Sequence, residues 1–268
     1  MAAALMVIGG GRMGTGLVEG IVASGKLTAD QIVVVETDPE RRALLRLTYD
    51  DLVLCDTPEL DQLDASTGAI IAVKPEGAEG AARLLGALGV ARIVSVAAGI
   101  SCARLEAALP GPIPVVRAMP NSPALIGAGV TVISGGSHVT KADLDWAEDL
   151  FSAVGTVLRL AERHLDAVTG VSGSGPAYVF FVAEALIEAG VTAGLPRDVA
   201  TTLTAETILG AGKLLVEADE SAEVLRAQVT SPGGTTAAAV RALEARAVRS
   251  AFVEAVMAAV ERSRSLGR

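Results

Sequence analysis

The chain has 268 residues, of which 51% are hydrophobic, 20% charged and only 3% aromatic, and its formal net charge is −9. That length allows one large domain or two ordinary ones. The acidic balance, with a pI of about 4.8, argues against a nucleic-acid or anionic-membrane partner.

No uninterrupted apolar run approaches the roughly 18–20 residues that a membrane span needs. The N-terminal MAAALMVIGG lacks a basic leader and reads as a first strand, not a signal peptide. Cys55 and Cys102 lie far apart, outside any CxxC or Cys/His cluster. They imply reduced thiols in a cytoplasmic protein and no metal site. The mean hydropathy is +0.49, and surplus apolar surface on a soluble protein points to subunit contacts.

Residues 5–8 form a short apolar run, the first predicted strand. Gly9, Gly10, Gly11, Arg12, Met13 and Gly14 follow, matching GxGxxG, and a helical pattern runs over 14–24 with Met13, Leu17, Ile21 and Val22 on one face. A strand, a glycine turn and a helix start in that order turn a weak motif into a dinucleotide-binding candidate. The glycines permit the tight turn, the approach of a pyrophosphate and close helix–strand packing, and the free N–H groups of the helix face the phosphates. A bare βα turn has the same pattern, so the motif alone does not decide the matter.

Strands are predicted at 31–36, 52–54, 69–73, 93–96, 115–118 and 130–134, alternating with helices at 39–47, 76–88 and 101–109. Ser101 caps the last of these. This alternation implies a parallel, doubly wound α/β sheet of Rossmann type, with ligands at the carboxyl ends of the strands. An amphipathic helix over 141–154 and an edge strand over 156–160 complete it. Beyond His164 only helices are expected, at 176–189, 197–218, 221–228, 235–244 and 247–265. The first is apolar on nearly all sides, which demands burial all round, either in a dimer core or beneath its own chain. The predicted organisation is a dinucleotide-binding domain at 1–160 and an all-helical substrate and dimerisation domain at 161–268.

Several positions carry chemistry. Glu36 ends the second strand, where a carboxylate accepts hydrogen bonds from the ribose hydroxyls of NAD and repels the 2′-phosphate of NADP; Arg41 and Arg42 stand one turn on and offset that. Glu36 therefore favours NADH, with NADPH still open. Lys74 and Pro75 stand where a sheet-end loop passes the cofactor, and Asn121 either bonds the nicotinamide amide or makes an Asx turn. The run Gly170 to Pro176 fails GxSxG, and with only His138 and His164 in the chain a serine triad has little support. In the run Ser231 to Thr236, SPGGTT, free N–H groups and two hydroxyls meet at a helix start, as a carboxylate site or a simple capping turn.

Together AVKP at 72–75, SVAAG at 95–99, RAMPNSPA at 117–124, DAVTGVSGSGPAYVF at 166–180 and VTSPGGTTAAAVRALE at 229–244 resemble pyrroline-5-carboxylate reductase over essentially the whole chain. The resemblance implies reduction of 1-pyrroline-5-carboxylate to L-proline by NADPH or NADH, an interlocked helical homodimer, and often a decamer of five dimers. By motif it implies that Ile8, Gly9, Gly10, Gly11, Arg12 and Met13 hold the pyrophosphate. Glu36 reads the ribose, where NADP-using members commonly carry Ser or Thr. Ala72, Val73, Lys74, Pro75, Val96, Ala97 and Ala98 line the cofactor, with Asn121 at its nicotinamide end. Gly233, Gly234, Thr235 and Thr236 hold the substrate carboxylate, with Thr236 near the ring nitrogen. Glu162 and Gln228 match positions near substrate and cofactor respectively.

Two other readings stay open on sequence. A related imine reductase or a 6-phosphogluconate-like dehydrogenase shares the domain plan; the latter class presents an acid–base lysine in its helical domain, and Lys213 is the sole lysine past Lys141. A non-catalytic dinucleotide-sensing regulator keeps the fold, but has no reason to keep an intact Gly-Gly-Thr-Thr turn.

Overall fold

A computed structural model describes residues 3–49, 51–58 and 63–267. The chain divides into two compact units, Met1–Ser174 with Ala258–Arg268, and Gly175–Met257.

The first unit is built on one eight-stranded sheet of order β3-β2-β1-β4-β5-β6-β7-β8. Its strands are β1 (Leu5–Ile8), β2 (Ile32–Val35), β3 (Val53–Cys55), β4 (Gly68–Ile71), β5 (Arg92–Ser95), β6 (Val115–Pro120), β7 (Gly129–Gly135) and β8 (Gly155–Arg159). β1 to β6 run parallel, as expected from the alternating pattern. β7 departs from the parallel expectation: it lies antiparallel to β6, with Ala118 opposite Ile133. The cause is connection length. Only residues 121–128 join the two strands, and they hold a single 3-10 turn, Ser122–Ile126. A parallel return needs a crossover of about a dozen residues or more. β8 then pairs parallel with β7.

Helices cover both faces. They are α1 (Arg12–Ala23), α2 (Pro39–Thr48), α3 (Pro75–Leu88), α4 (Cys102–Ala108) and α5 (Lys141–Ser152). Side chains alternate across each strand, so Leu5 and Val7 enter one apolar layer with Leu17, Ile21 and Phe151, while Met6 and Ile8 enter the other with Ala78, Leu85 and Leu105. The helix starts are locally encoded. Asp38 caps α2 through the N–H groups of Glu40 and Arg41, Ser101 caps α4, and Thr140 with Asp143 forms a capping box on α5. α3 begins on Pro75 and ends at Gly89, whose φ of +73° suits a glycine C-terminal stop. Gly68 leaves room for the Trp146 indole, over which Arg92 lies 5.3 Å from the ring centre.

After β8 come α6 (Leu165–Val168) and a π-helical turn, Thr169–Gly173. The second unit contains α7 (Gly175–Thr192), α8 (Arg197–Glu217), α9 (Ala222–Gln228), α10 (Thr235–Ala245) and the first part of α11 (Val248–Leu266). α7 packs on α8, with Gly190 against Ala200. Of α7 and α8 only Ala200 and Thr204 are buried; Phe180, Phe181, Leu214 and Val216 are exposed. Within the second unit, α7 and α8 thus leave apolar side chains exposed.

Glu162–Thr192 and Arg197–Glu217 are long and apolar enough, by length and composition alone, to cross a membrane, with mean hydropathies of 1.3 and 1.2. Glu184 and Glu188 break the apolar run in sequence but are too few to lower the average.

Candidate functional site

The sheet's strand order reverses between β1 and β4, and ligands of open α/β sheets bind at the carboxyl ends of the strands at such a point. A cavity of about 690 Å³ opens there. The glycine turn forms its floor. Gly9 has a φ of +108° and donates its N–H to Val35 O at 2.8 Å. A Cβ on Gly9 would lie 2.7 Å from Ala72 O, and one on Gly14 would overlap Gly9 O. A Cβ on Gly11 would meet nothing closer than the Arg41 guanidinium, 3.9 Å away. Gly9 and Gly14 are therefore required by the fold itself, whereas the bareness of Gly11 serves the cavity. α1 starts at Arg12 with its first-turn N–H groups uncapped by any side chain, leaving them for an anion.

Of the predicted cofactor residues, Ile8, Gly9, Gly11, Arg12, Met13, Glu36, Ala72, Val73 and Lys74 line this cavity. Gly10 does not; its N–H donates to Glu36 Oε2 at 2.9 Å. Glu36 also accepts from the Asp38 N–H at 2.9 Å and pairs with Arg41 at 3.5 Å. Its carboxylate is nearly buried, so it clamps the glycine turn to the end of β2 as well as facing the cavity. The Arg41 guanidinium is about half exposed.

Sequence reading passed over the far wall, Gly77, Gly80, Ala81 and Leu84 of α3. The signal was present. These positions recur at helical spacing and are small except the last, which makes a smooth helix face. Pro75 starts that helix and has no place in the lining.

Val96, Ala97 and Ala98 follow β5, beside the cavity but not in its lining. The Val96 N–H donates to Ile71 O at 3.0 Å, and Ala97 is buried. Asn121 uses its Oδ1 to accept the Val130 N–H at 2.9 Å, fastening the 121–128 connection to β7. It is neither an Asx turn nor part of this cavity. The π turn packs at the same end of β6, where a Cβ on Gly173 would lie 2.9 Å from Met119 Cε. Such turns recur at functional sites.

Glu162 has structural partners. Its Oε1 accepts from the Cys102 N–H at 2.8 Å and from Arg117 Nη1 at 3.2 Å. Arg117 is buried on β6, so the pair neutralises a charge that would otherwise be costly there. Burial first, and then the Glu162 carboxylate, push the Cys102 thiol up to about 12. It is fully protonated at neutral pH and no nucleophile.

In the second unit, Gly233 has a φ of +72° and Gly234 donates its N–H to Ser231 O. A Cβ on Gly234 would overlap Ser231 Oγ. Thr235 and Thr236 then open α10, with no side-chain cap on its free N–H groups. Gln228 donates to Glu220 at 2.7 Å.

A glycine turn and an uncapped helix N-terminus, at the switch point of a doubly wound sheet, define a dinucleotide-binding protein of the Rossmann class. The comparisons agree. Residues 4–99 match the family described as NADP oxidoreductase, coenzyme F420-dependent, and residues 162–266 match pyrroline-5-carboxylate reductase dimerisation. A pyrroline-5-carboxylate reductase of Mycobacterium tuberculosis is 44% identical, covering 98% of this chain and 97% of its own. Among solved structures, the Coxiella burnetii pyrroline-5-carboxylate reductase superposes with a TM-score of 0.90 at 32% identity over 100% of both chains. The Plasmodium falciparum pyrroline carboxylate reductase, solved with NADP bound, gives 0.86 at 27% identity, covering 99% of this chain and 98% of its own. The chain belongs to the pyrroline-5-carboxylate reductase family.

Proposed function

We propose that this protein reduces the C=N bond of 1-pyrroline-5-carboxylate to give L-proline, using NAD(P)H. The observation that carries the reading is the glycine turn with its cavity, in a chain whose Gly-Gly-Thr-Thr turn opens a second uncapped helix. The bound cofactor supplies a hydride from nicotinamide C4.

The chain's own residues bind, orient and exclude water. Backbone N–H groups from Gly11 to Met13 hold the pyrophosphate, Gly9 and Gly10 shape the turn with their own N–H groups already bonded, and Arg12 and Lys74 add positive charge at the cavity. Ala72 to Pro75 and Val96 to Ala98 form the cofactor-side loops, and Asn121 supports the nicotinamide end. In the second unit, N–H groups from Gly233 to Thr236 hold the substrate carboxylate, and the Thr236 hydroxyl orients the ring nitrogen. A substrate that arrives as the iminium is already a good hydride acceptor. Positioning then supplies most of the acceleration, and no acid–base pair is needed. Glu162 and Gln228 act on these sites through Cys102, Arg117 and Glu220, the groups they already bond.

Residues 1–160 serve chiefly the cofactor and 161–268 chiefly substrate and dimerisation. The exposed apolar faces of α7 and α8 become buried in a homodimer, and five dimers build a decamer. Dimer burial accounts for those faces with no membrane, and the protein works in the cytoplasm.

Glu36 sets cofactor preference toward NADH. Two backbone N–H groups hold its carboxylate rigidly at the cavity, and a phosphate about 4 Å away would be repelled by ~1–4 kcal/mol. Steady-state oxidation of NADH and NADPH with 1-pyrroline-5-carboxylate tests both points. Wild type turns over with a higher kcat/KM for NADH, and Glu36→Ser moves the ratio toward NADPH by roughly ten- to a hundredfold. An unchanged ratio removes Glu36 from ribose reading, and absence of turnover with either cofactor overturns the reductase.

A further inference from the structure

The last turns of α11 return to the first unit and seat on the loop after β5. Val260 and Ser263 are buried, three residues apart on one helix face. Ser263 Oγ donates to Asp166 Oδ1 at 2.7 Å. One turn further, Leu266 and Gly267 meet Gly99. The backbones are in contact: a Cβ on Gly99 would lie 3.1 Å from the Leu266 carbonyl carbon and 3.2 Å from Gly267 N, and a Cβ on Gly267 would lie 2.6 Å from Gly99 O. Gly99 itself has a φ of +77°, so glycine is needed there on two counts. Arg104 ties the contact from the side. It donates to Glu79 of α3 through Nε at 3.0 Å and Nη2 at 2.6 Å, and to Gly267 O through Nη1 at 3.4 Å.

We propose that Leu266 and Gly267 are positioning residues for the cofactor, acting through the Val96–Ile100 loop. The loop leaves β5 next to β4, whose following residues Ala72, Val73 and Lys74 line the cavity, and its Val96 N–H is bonded to Ile71 O. In a doubly wound sheet this side of the switch point takes the nicotinamide half of a dinucleotide. Besides the Val96 bond, the loop is held by Ala97 N–H to Ser95 Oγ at 3.3 Å, by Ile100 N–H to Ala97 O at 3.5 Å, and by the burial of Ala97 and Ile100 in the core. Leu266 and Gly267 add a backbone contact on its far end, at Gly99. This contact holds the loop in its binding shape before the cofactor arrives, so that less ordering entropy is lost on binding.

The role rests on the cofactor reading above, and one experiment separates the two. NADH is titrated into the full-length protein without substrate, by fluorescence, alongside a chain ending at Ser265 and the variant Gly267→Val. Both variants bind NADH roughly three- to tenfold more weakly. Their unfolding temperature and their KM for the pyrroline stay at the wild-type values, and amide hydrogens of residues 96–100 exchange faster. Wild-type NADH affinity in either folded variant overturns the proposal. If the shortened chain does not fold, Gly267→Val decides alone, because it keeps every residue of α11 and adds only a side chain against Gly99 O. Failure of the wild type to bind either NADH or NADPH overturns the cofactor reading instead, and the positioning role with it.

Discussion

Gly14→Ala abolishes useful cofactor binding and lowers stability together. The added methyl would overlap Gly9 O and sit 3.2 Å from the Ala72 Cβ. Either α1 moves away from the turn or the turn changes shape. Overpacking of this kind costs about 1–3 kcal/mol, and the displaced turn no longer presents its N–H groups to the pyrophosphate. NADH affinity is expected to fall by about a hundredfold or more, with a clear drop in unfolding temperature. Gly11→Ala is the informative companion. Its methyl points into open cavity, so the fold should be untouched while the cofactor is kept at a distance. Calorimetry of both variants, with NADH titrations, checks the split. A Gly11→Ala protein as unstable as Gly14→Ala would show that the bareness of Gly11 serves the fold.

Thr236→Ala is expected to lower kcat/KM for 1-pyrroline-5-carboxylate by about 10- to 100-fold, the size of losing one well-placed donor. NADH affinity stays near wild type, since the hydroxyl is assigned to the substrate and the glycine turn to the cofactor. The turn itself should survive, because its geometry comes from Gly233 with its φ of +72° and from the Gly234 N–H bonded to Ser231 O. Kinetics with each reactant varied in turn provide the check. Wild-type turnover would remove Thr236 from the site; weakened NADH binding would place it with the cofactor.

What could be read before folding was whatever is written locally. The glycine turn, the Ser101 cap and the β-branched second strand each depend on a few neighbouring residues and stand where expected; the Asp38 cap and the Pro75 start are written just as locally but were passed over. The family resemblance rested on short motifs of the same kind. The reversed direction of β7 follows from a count of connecting residues, which the strand pattern alone does not weigh. Relations between distant residues were hidden. The Glu36 carboxylate looked free for a ribose, yet it is bonded to Gly10, 26 residues away. Glu162, matched by motif to a position near substrate, also holds Cys102 and Arg117. The seat of Gly267 on Gly99 has no sequence signature at all, since both positions read as ordinary chain-end or turn glycines. The exposed apolar helices sit between these cases. Their composition announced burial, and the structure shows that the second unit alone does not provide it.

Hydride transfer to the imine carbon is open to isotope tracing. The purified protein is incubated with 1-pyrroline-5-carboxylate and NADH carrying deuterium at both nicotinamide C4 positions, and the product is examined by mass spectrometry and NMR. The expected product is L-proline with one deuterium, at the former C=N carbon, formed in equal amount to the NADH consumed. Unlabelled proline, or NADH consumption with no proline formed, would contradict it.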